Sequence, residues 1–292
     1  MFRPQGIIAA MATPFHEDET INEQELRNQV NRFIQAGIHG LFCLGTNGEF
    51  YAMSKEEKLQ VIQIVLDENR GRLPVYAGTG CITTKDTIEL TREAKELGVD
   101  CVSVISPYFA ESSQDSLYQH FSAVANAVDI PILLYNIPAR TGANLSYQTV
   151  AKLAQIENIV GIKDSSGNFD NILRYIEETP DDFCVISGND SLILWTLMAG
   201  GTGGISGISN IFPEIMASIY DLWKKGDFVA ARKAQDSIRA IRDCLKLANP
   251  NSVVKRAAYF NGQNLGPARA PFQVTSPEID AKIKATVEKY HQ

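Results

Sequence analysis

The feature that most narrows the fold is an order of segments. Short apolar runs alternate with helix-period segments from residue 6 to about residue 210: "GIIAAMATPF", "HGLFCLG", "LPVYAGT", "DCVSVIS", "IPILLYN", "IVGIKD", "FCVISG" and "GGISGIS". Between the first two, "QELRNQVNRFIQAG" carries Leu26, Val30, Phe33 and Ile34 at helical spacing and closes on Gly37. After the second, Ser54 and Glu57 form a capping-box pair ahead of Leu59, Ile62, Val65 and Leu66. Runs that are apolar almost throughout predict parallel strands covered by helices. Eight such units predict an α/β chain folded as a (β/α)8 TIM barrel. A doubly wound sheet would call for a glycine-rich dinucleotide turn after an early strand, and "GTNGEF" is not one. From Phe212 onward the pattern is helical only. Residues 1–212 are therefore assigned to the barrel core through strand eight. Residues 213–292 become the final barrel helix and a C-terminal helical extension of the same structural unit.

Composition excludes little but points one way. With 45% hydrophobic and 21% charged residues, 292 residues can bury a large core. A net charge of −7 argues against nucleic acid or an anionic membrane as partner. Cys43, Cys101 and Cys184 sit in apolar runs, and no CxxC pair occurs among the five cysteines, so core thiols are expected, not zinc or dithiol sites. No apolar run reaches membrane-spanning length, and "MFRPQGIIAAMATPF" does not read as a signal peptide; the expectation is cytoplasmic residence.

One run carries an anomaly: "VGIKDSSGN" puts Lys163 directly after Val160, Gly161 and Ile162. Barrel sites are built at the C-terminal ends of the strands, where this lysine would stand. An amine in a partly dry cavity is easier to deprotonate and can attack a carbonyl to form a Schiff base, which stabilises the adjacent enamine. Taken alone, the residue reads equally as a lysine snorkelling from a strand tip to pair with Asp164. The neighbouring strand ends change the balance. "YNIPARTG" places Tyr135 at the next lip as a proton carrier and Arg140 in the loop as a carboxylate clamp. "GTNGEF" offers backbone N–H groups and the side chains of Thr46 and Asn47 to the same end.

"GTNGE", "YNIPARTG" and "GIKDSSG", in this order and spacing, resemble the family of dihydrodipicolinate synthases and N-acetylneuraminate lyases, and the resemblance runs over nearly the whole chain. It implies a cofactor-free barrel enzyme that condenses or releases pyruvate through a lysine-bound enamine, assembled as a tetramer of two tight dimers. By motif position, Lys163 would form the Schiff base, Tyr135 would relay protons, and Thr46 would be hydrogen-bonded to Tyr135. Thr46 and Asn47 backbone groups would hold the pyruvate carboxylate, Arg140 would meet a carboxylate on the second aldehyde substrate, and Gly188 and Ile205 would line the floor. Arg140 favours a synthase-like partner, aspartate semialdehyde. Two departures favour an aldolase of 2-keto-3-deoxy sugar acids or 4-hydroxy-2-oxoglutarate: Phe109 stands where synthases carry an interface tyrosine, and Asn47 where they carry a second threonine. Phe50, Tyr51 and Ile82 replace the polar residues that bind inhibitory lysine in regulated synthases, so free lysine is expected not to inhibit; a micromolar inhibition constant in a pyruvate-turnover assay would contradict this. A pyruvate-binding sensor needs no complete Lys–Tyr–Thr set. Four histidines, with only His16 near a strand end, give no metal cluster.

Overall fold

The computed structural model describes residues 2–273 and 276–291. All eight predicted strands form, and they close in chain order into a parallel barrel: β1 (Gly6–Ala10), β2 (Gly40–Cys43), β3 (Val75–Gly78), β4 (Cys101–Ile105), β5 (Ile132–Asn136), β6 (Ile159–Asp164), β7 (Cys184–Ser187) and β8 (Gly203–Ser206), with β8 pairing back onto β1. The helices are α1 (Glu23–Gln35), α2 (Lys55–Asn69), α3 (Thr84–Leu97), α4 (Gln114–Ala127), α5 (Pro138–Thr141), α6 (Tyr147–Leu153), α7 (Phe169–Glu178), α8 (Ile193–Met198), α9 (Pro213–Lys224), α10 (Phe228–Ser237), α11 (Arg239–Cys244), α12 (Pro250–Phe260) and α13 (Pro277–Glu288).

Strand alternation sorts side chains into two cores. Ile8, Ala10, Phe42, Tyr76, Cys101, Leu133, Ile186 and Ile205 fill the barrel interior, while Ile7, Ala9, Leu41 and Cys43 join the layer beneath the helices. A one-residue slip would exchange the two sets, so register is strongly fixed. It sets Tyr135 opposite Lys163 and Asn136 opposite Asp164.

Local signals act as expected at α2. Ser54 Oγ accepts from Glu57 N, and the Glu57 carboxylate accepts from Ser54 N. The buried face is broader than the expected row. Val61, Ile62, Ile64 and Val65 are buried and Leu59 and Leu66 half-buried, because α2 packs on β2 and β3 and also between α1 and α3. Cys43, Cys101, Cys184 and Cys244 are buried free thiols, and burial pushes Cys43 up to about 12, far from a reactive thiolate.

Beyond β8, α9 packs on β1, and α12 reaches the short helical turns after β2 (Thr46–Gly48) and β8 (Ile208–Asn210). Asn261 Nδ2, just past α12, donates to Ile211 O at 2.6 Å. Within the C-terminal extension, α12 thus lies against the C-terminal end of the barrel, while α9 and α10 continue the outer helical layer beside α8. Among the described residues no helix is long and apolar enough to cross a membrane.

Candidate active site

Lys163 is only 4% exposed, and its Nζ lies 3.8 Å from the centre of the Tyr135 ring and 5.0 Å from that of Phe42. Strand alternation turns Asp164 to the other face. There its Oδ2 accepts from Asn136 Nδ2 at 2.8 Å, and its Oδ1 accepts from Ser166 N at 3.0 Å and Ser166 Oγ at 2.5 Å. Burial raises the Asp164 carboxyl above its ordinary range, opposed by these hydrogen bonds. Asp164 is therefore not the partner of Lys163, which forms no ion pair among the described residues. Gly188, after β7, makes room for the amine's stem: a β-carbon there would stand 2.9 Å from Lys163 Cε and inside contact distance of Ser165 Oγ.

Tyr135, also 4% exposed, shares a 3.1 Å hydrogen bond between its hydroxyl and Thr46 Oγ1. Thr46 opens a tight turn bent by left-handed residues on both sides, Leu44 at φ 59° and Glu49 at φ 57°. The turn fits because position 78 is glycine; any β-carbon there would strike the Leu44 carbonyl. Thr13 Oγ1 donates to Gly48 O at 2.8 Å, and Asn251 Nδ2 donates to Thr46 O at 2.8 Å. As the first residues of a helical turn, Thr46 and Asn47 have no acceptor inside it for their N–H groups. The Asn47 amide packs against Gly207, whose hypothetical β-carbon would lie 2.6 Å from Asn47 Nδ2.

At Thr46 opens a cavity of about 240 Å³, lined also by Phe50, Tyr51, Tyr108, Arg140, Asn251 and Phe272, among others. Arg140 is exposed at its rim. It rides on α5, which starts with Pro138 and ends at Gly142 with φ 73°. It carries the one formal charge on that lining. The structure thus brings Lys163, Tyr135, Thr46, Asn47 and Gly188 together, with Arg140 at the entrance. Ile205 lies in the interior barrel layer. Phe109 is apart from the cavity, 98% exposed at φ 80°, while its neighbour Tyr108 lines the wall. Of the three residues tied to lysine insensitivity, Phe50 and Tyr51 line the cavity and Ile82 is half exposed.

Three features escaped the sequence reading. Phe42 lies beneath the amine and looked like any core residue. Asn251 holds the Thr46 carbonyl from a helix about two hundred positions away. Lys255 Nζ lies 2.6 Å from Glu49 Oε1, with the two side chains 1% and 0% exposed. Burial pulls the Lys255 ammonium down to about 8, and Glu49 beside it opposes the shift. That last pair had a usable signal: "SVVKRAA" holds an ammonium inside an apolar run, the same anomaly that drew attention to Lys163. Among the described residues no group of three or more His, Cys, Asp or Glu side chains is placed to hold a metal ion.

A closed (β/α)8 barrel with a lysine and a tyrosine at adjoining strand tips, the tyrosine hydroxyl bonded to a threonine from the turn after β2, defines the class. Residues 3–290 match the Dihydrodipicolinate synthetase family, and the chain belongs to it. A relative from Methanopyrus kandleri named 4-hydroxy-tetrahydrodipicolinate synthase is 40% identical over 290 residues, covering 99% of this chain and 97% of its own. The crystal structure of dihydrodipicolinate synthase DapA-2 from Bacillus anthracis superimposes with a TM-score of 0.95 at 34% identity, covering 99% of both chains. YagE, a prophage protein of the same family from E. coli K12 solved in complex with pyruvate, gives 0.95 at 30% identity and 98% coverage of both chains.

Proposed function

We propose that this chain is a cofactor-free, class I pyruvate-dependent lyase that joins pyruvate to a carboxylated aldehyde, with aspartate semialdehyde as the partner. The observation that carries the reading is the buried Lys163 amine, free of any carboxylate, against Tyr135, whose hydroxyl is bonded to Thr46. The amine adds to C2 of pyruvate, and the carbinolamine loses its oxygen as water, with Tyr135 supplying the proton through Thr46. The iminium then gives up a methyl proton to become an enamine. The enamine carbon attacks the aldehyde, whose oxygen takes up a proton, and water or an amine of the product displaces Lys163. Thr46 and Asn47 N–H groups hold the pyruvate carboxylate, with Gly188 and Ile205 beside the bound pyruvate.

Arg140 argues for the class of aldehyde. An exposed, delocalised cation at the rim of an otherwise uncharged cavity recognises a carboxylate in fork geometry, which aspartate semialdehyde and glyoxylate carry and glyceraldehyde does not. The YagE complex and the synthase names of the relatives support pyruvate and aspartate semialdehyde respectively. Replacing Arg140 by alanine is expected to raise KM for the carboxylated aldehyde about 10- to 100-fold, the worth of a charge-assisted hydrogen bond, with the pyruvate requirement unchanged. Steady-state kinetics with each substrate varied in turn read the split; a rise in pyruvate KM instead would place Arg140 elsewhere.

A second reading rests on Phe109, a residue unable to carry a proton where synthases place a tyrosine. It favours an aldolase of 4-hydroxy-2-oxoglutarate or of 2-keto-3-deoxy sugar acids. Product mass from pyruvate incubated with aspartate semialdehyde, glyoxylate, glyceraldehyde or N-acetylmannosamine decides between the two. Exclusive turnover of glyceraldehyde would refute the carboxylated-aldehyde reading. The assembly proposed is a tetramer of two tight dimers. Fully exposed Phe109 and half-exposed Ile82 support one contact face, and the apolar groove of Phe169, Leu192, Trp195, Met198 and Ala199 supports a second.

A further inference from the structure

We infer that the C-terminal extension is part of the pyruvate site: Asn251 and Lys255, one turn apart on α12, are positioning residues that splint the turn carrying Thr46 and Asn47. The inference rests on the proposed reading of that turn as the pyruvate-carboxylate holder.

The contacts fall at both ends of the turn. Asn251 uses the two hydrogens of its amide, one to Thr46 O at 2.8 Å and one to Tyr51 OH at 3.0 Å. Four residues on, and so on the same helix face, the Lys255 ammonium pairs with Glu49, which closes the turn. Lys255 is fixed in turn by donating to Pro267 O at 2.8 Å and by resting over the Phe15 ring at 4.3 Å. The other Glu49 oxygen accepts from Arg269 N at 3.0 Å. Each of these groups is at most 5% exposed at Asn251, Lys255 and Glu49, so no water can replace a lost partner cheaply.

The turn needs such support. Leu44 and Glu49 both hold left-handed backbone conformations without being glycine, and conformations of that kind persist where the surroundings over-determine them. Thr13 braces the turn from the β1 side through Gly48 O. The opposite brace is α12, joined at Glu49 by the Arg269 N–H. Its start is set by Pro250 at the first helical position and by Asn249, whose side chain accepts from Asn251 N at 3.0 Å. The "NPN" run therefore aims Asn251 at the Thr46 carbonyl. Were Asn251 unable to donate, the Thr46 carbonyl would keep only the 3.2 Å bond from Glu49 N inside the turn, and the Thr46 peptide would be held more loosely. Both the N–H groups beside it and the Thr46 hydroxyl on Tyr135 would lose their aim, and pyruvate would bind less well at an otherwise intact lysine.

Asn251→Asp keeps the side chain's shape and removes both donor hydrogens. The experiment measures borohydride trapping of pyruvate by intact-protein mass across a pyruvate titration, with no second substrate present. The half-saturating pyruvate concentration is expected to rise about tenfold or more in Asn251→Asp, with full labelling still reached at saturation. Glu49→Gln combined with Lys255→Met removes the other brace without leaving a buried charge alone, and is expected to move the value in the same direction. Arg256→Gln, which breaks the α12–α13 ion pair with Asp280 and leaves the turn untouched, is expected to leave it unchanged. An unshifted value in either folded turn variant, or an equal shift in Arg256→Gln, would overturn the inference. Wild-type protein that fails to trap pyruvate at all would remove the reading of the site, and this inference with it; trapping in the wild type with no shift in the variants removes this inference alone.

Discussion

Replacing Lys163 by methionine abolishes turnover, lowering kcat by about 10⁴-fold or more while leaving the fold intact. Methionine matches the length of the buried stem, fills the space over Phe42, and leaves no carboxylate stranded, because Lys163 has none as partner. The chain contains two deeply buried lysines, and their surroundings separate their roles. Lys255 is held as an ammonium by Glu49 and the Pro267 carbonyl, so its hydrogens already have acceptors and it presents no free electron pair to a carbonyl carbon. Lys163 Nζ lies over the π-faces of Tyr135 and Phe42 and makes no ion pair or hydrogen bond among the described residues, an arrangement that leaves the nitrogen open to a carbonyl carbon. The measurement is single-turnover and steady-state kinetics on purified variant, with thermal unfolding to verify the fold. Retention of activity within tenfold of wild type would move the chemistry to another group. The same substitution at Lys255 is expected to act differently: it strands the Glu49 carboxylate in a buried site and costs about 3–5 kcal/mol of stability.

Tyr135→Phe is the second large effect. The ring that covers Lys163 stays, and only the hydroxyl bonded to Thr46 is lost. Loss of a positioned proton carrier lowers kcat by about 10²- to 10⁴-fold. Iminium formation slows with it, because the carbinolamine must lose its oxygen as water. Pyruvate is still trapped at long incubation times, since the amine remains. Stopped-time trapping beside steady-state rates measures both consequences. A fall smaller than about tenfold would mean that protons reach the carbinolamine by another route, and Tyr108 in the cavity wall would then be the residue to replace next.

The order of strands and helices was legible because a parallel strand under helices has almost no freedom in its composition: "GLFC", "ILLY" and "IVGI" are apolar or small throughout since both faces are covered. The same logic exposed Lys163, an ammonium with no local reason to be there. The breadth of the buried face of α2 was not legible, because packing against two neighbouring helices leaves no mark on local periodicity beyond extra apolar positions. Asn251 was invisible for a different reason. An asparagine beside a proline reads as a helix start, and nothing local reveals that the helix begins against the turn after β2. Phe109 lies between these cases. Its residue type showed that no proton carrier stands there, and its position outside the cavity, at a left-handed backbone angle, emerged only from the fold.

The central claim is that the Lys163 nitrogen forms a covalent bond to a keto acid. Incubation of the native protein with pyruvate and borohydride, followed by proteolysis and peptide mass analysis, tests it most directly. The account predicts one modified peptide, the one containing residue 163, heavier by one pyruvate less one oxygen atom. An unmodified residue 163 under conditions that saturate with pyruvate, or a label carried by Lys255, would contradict it.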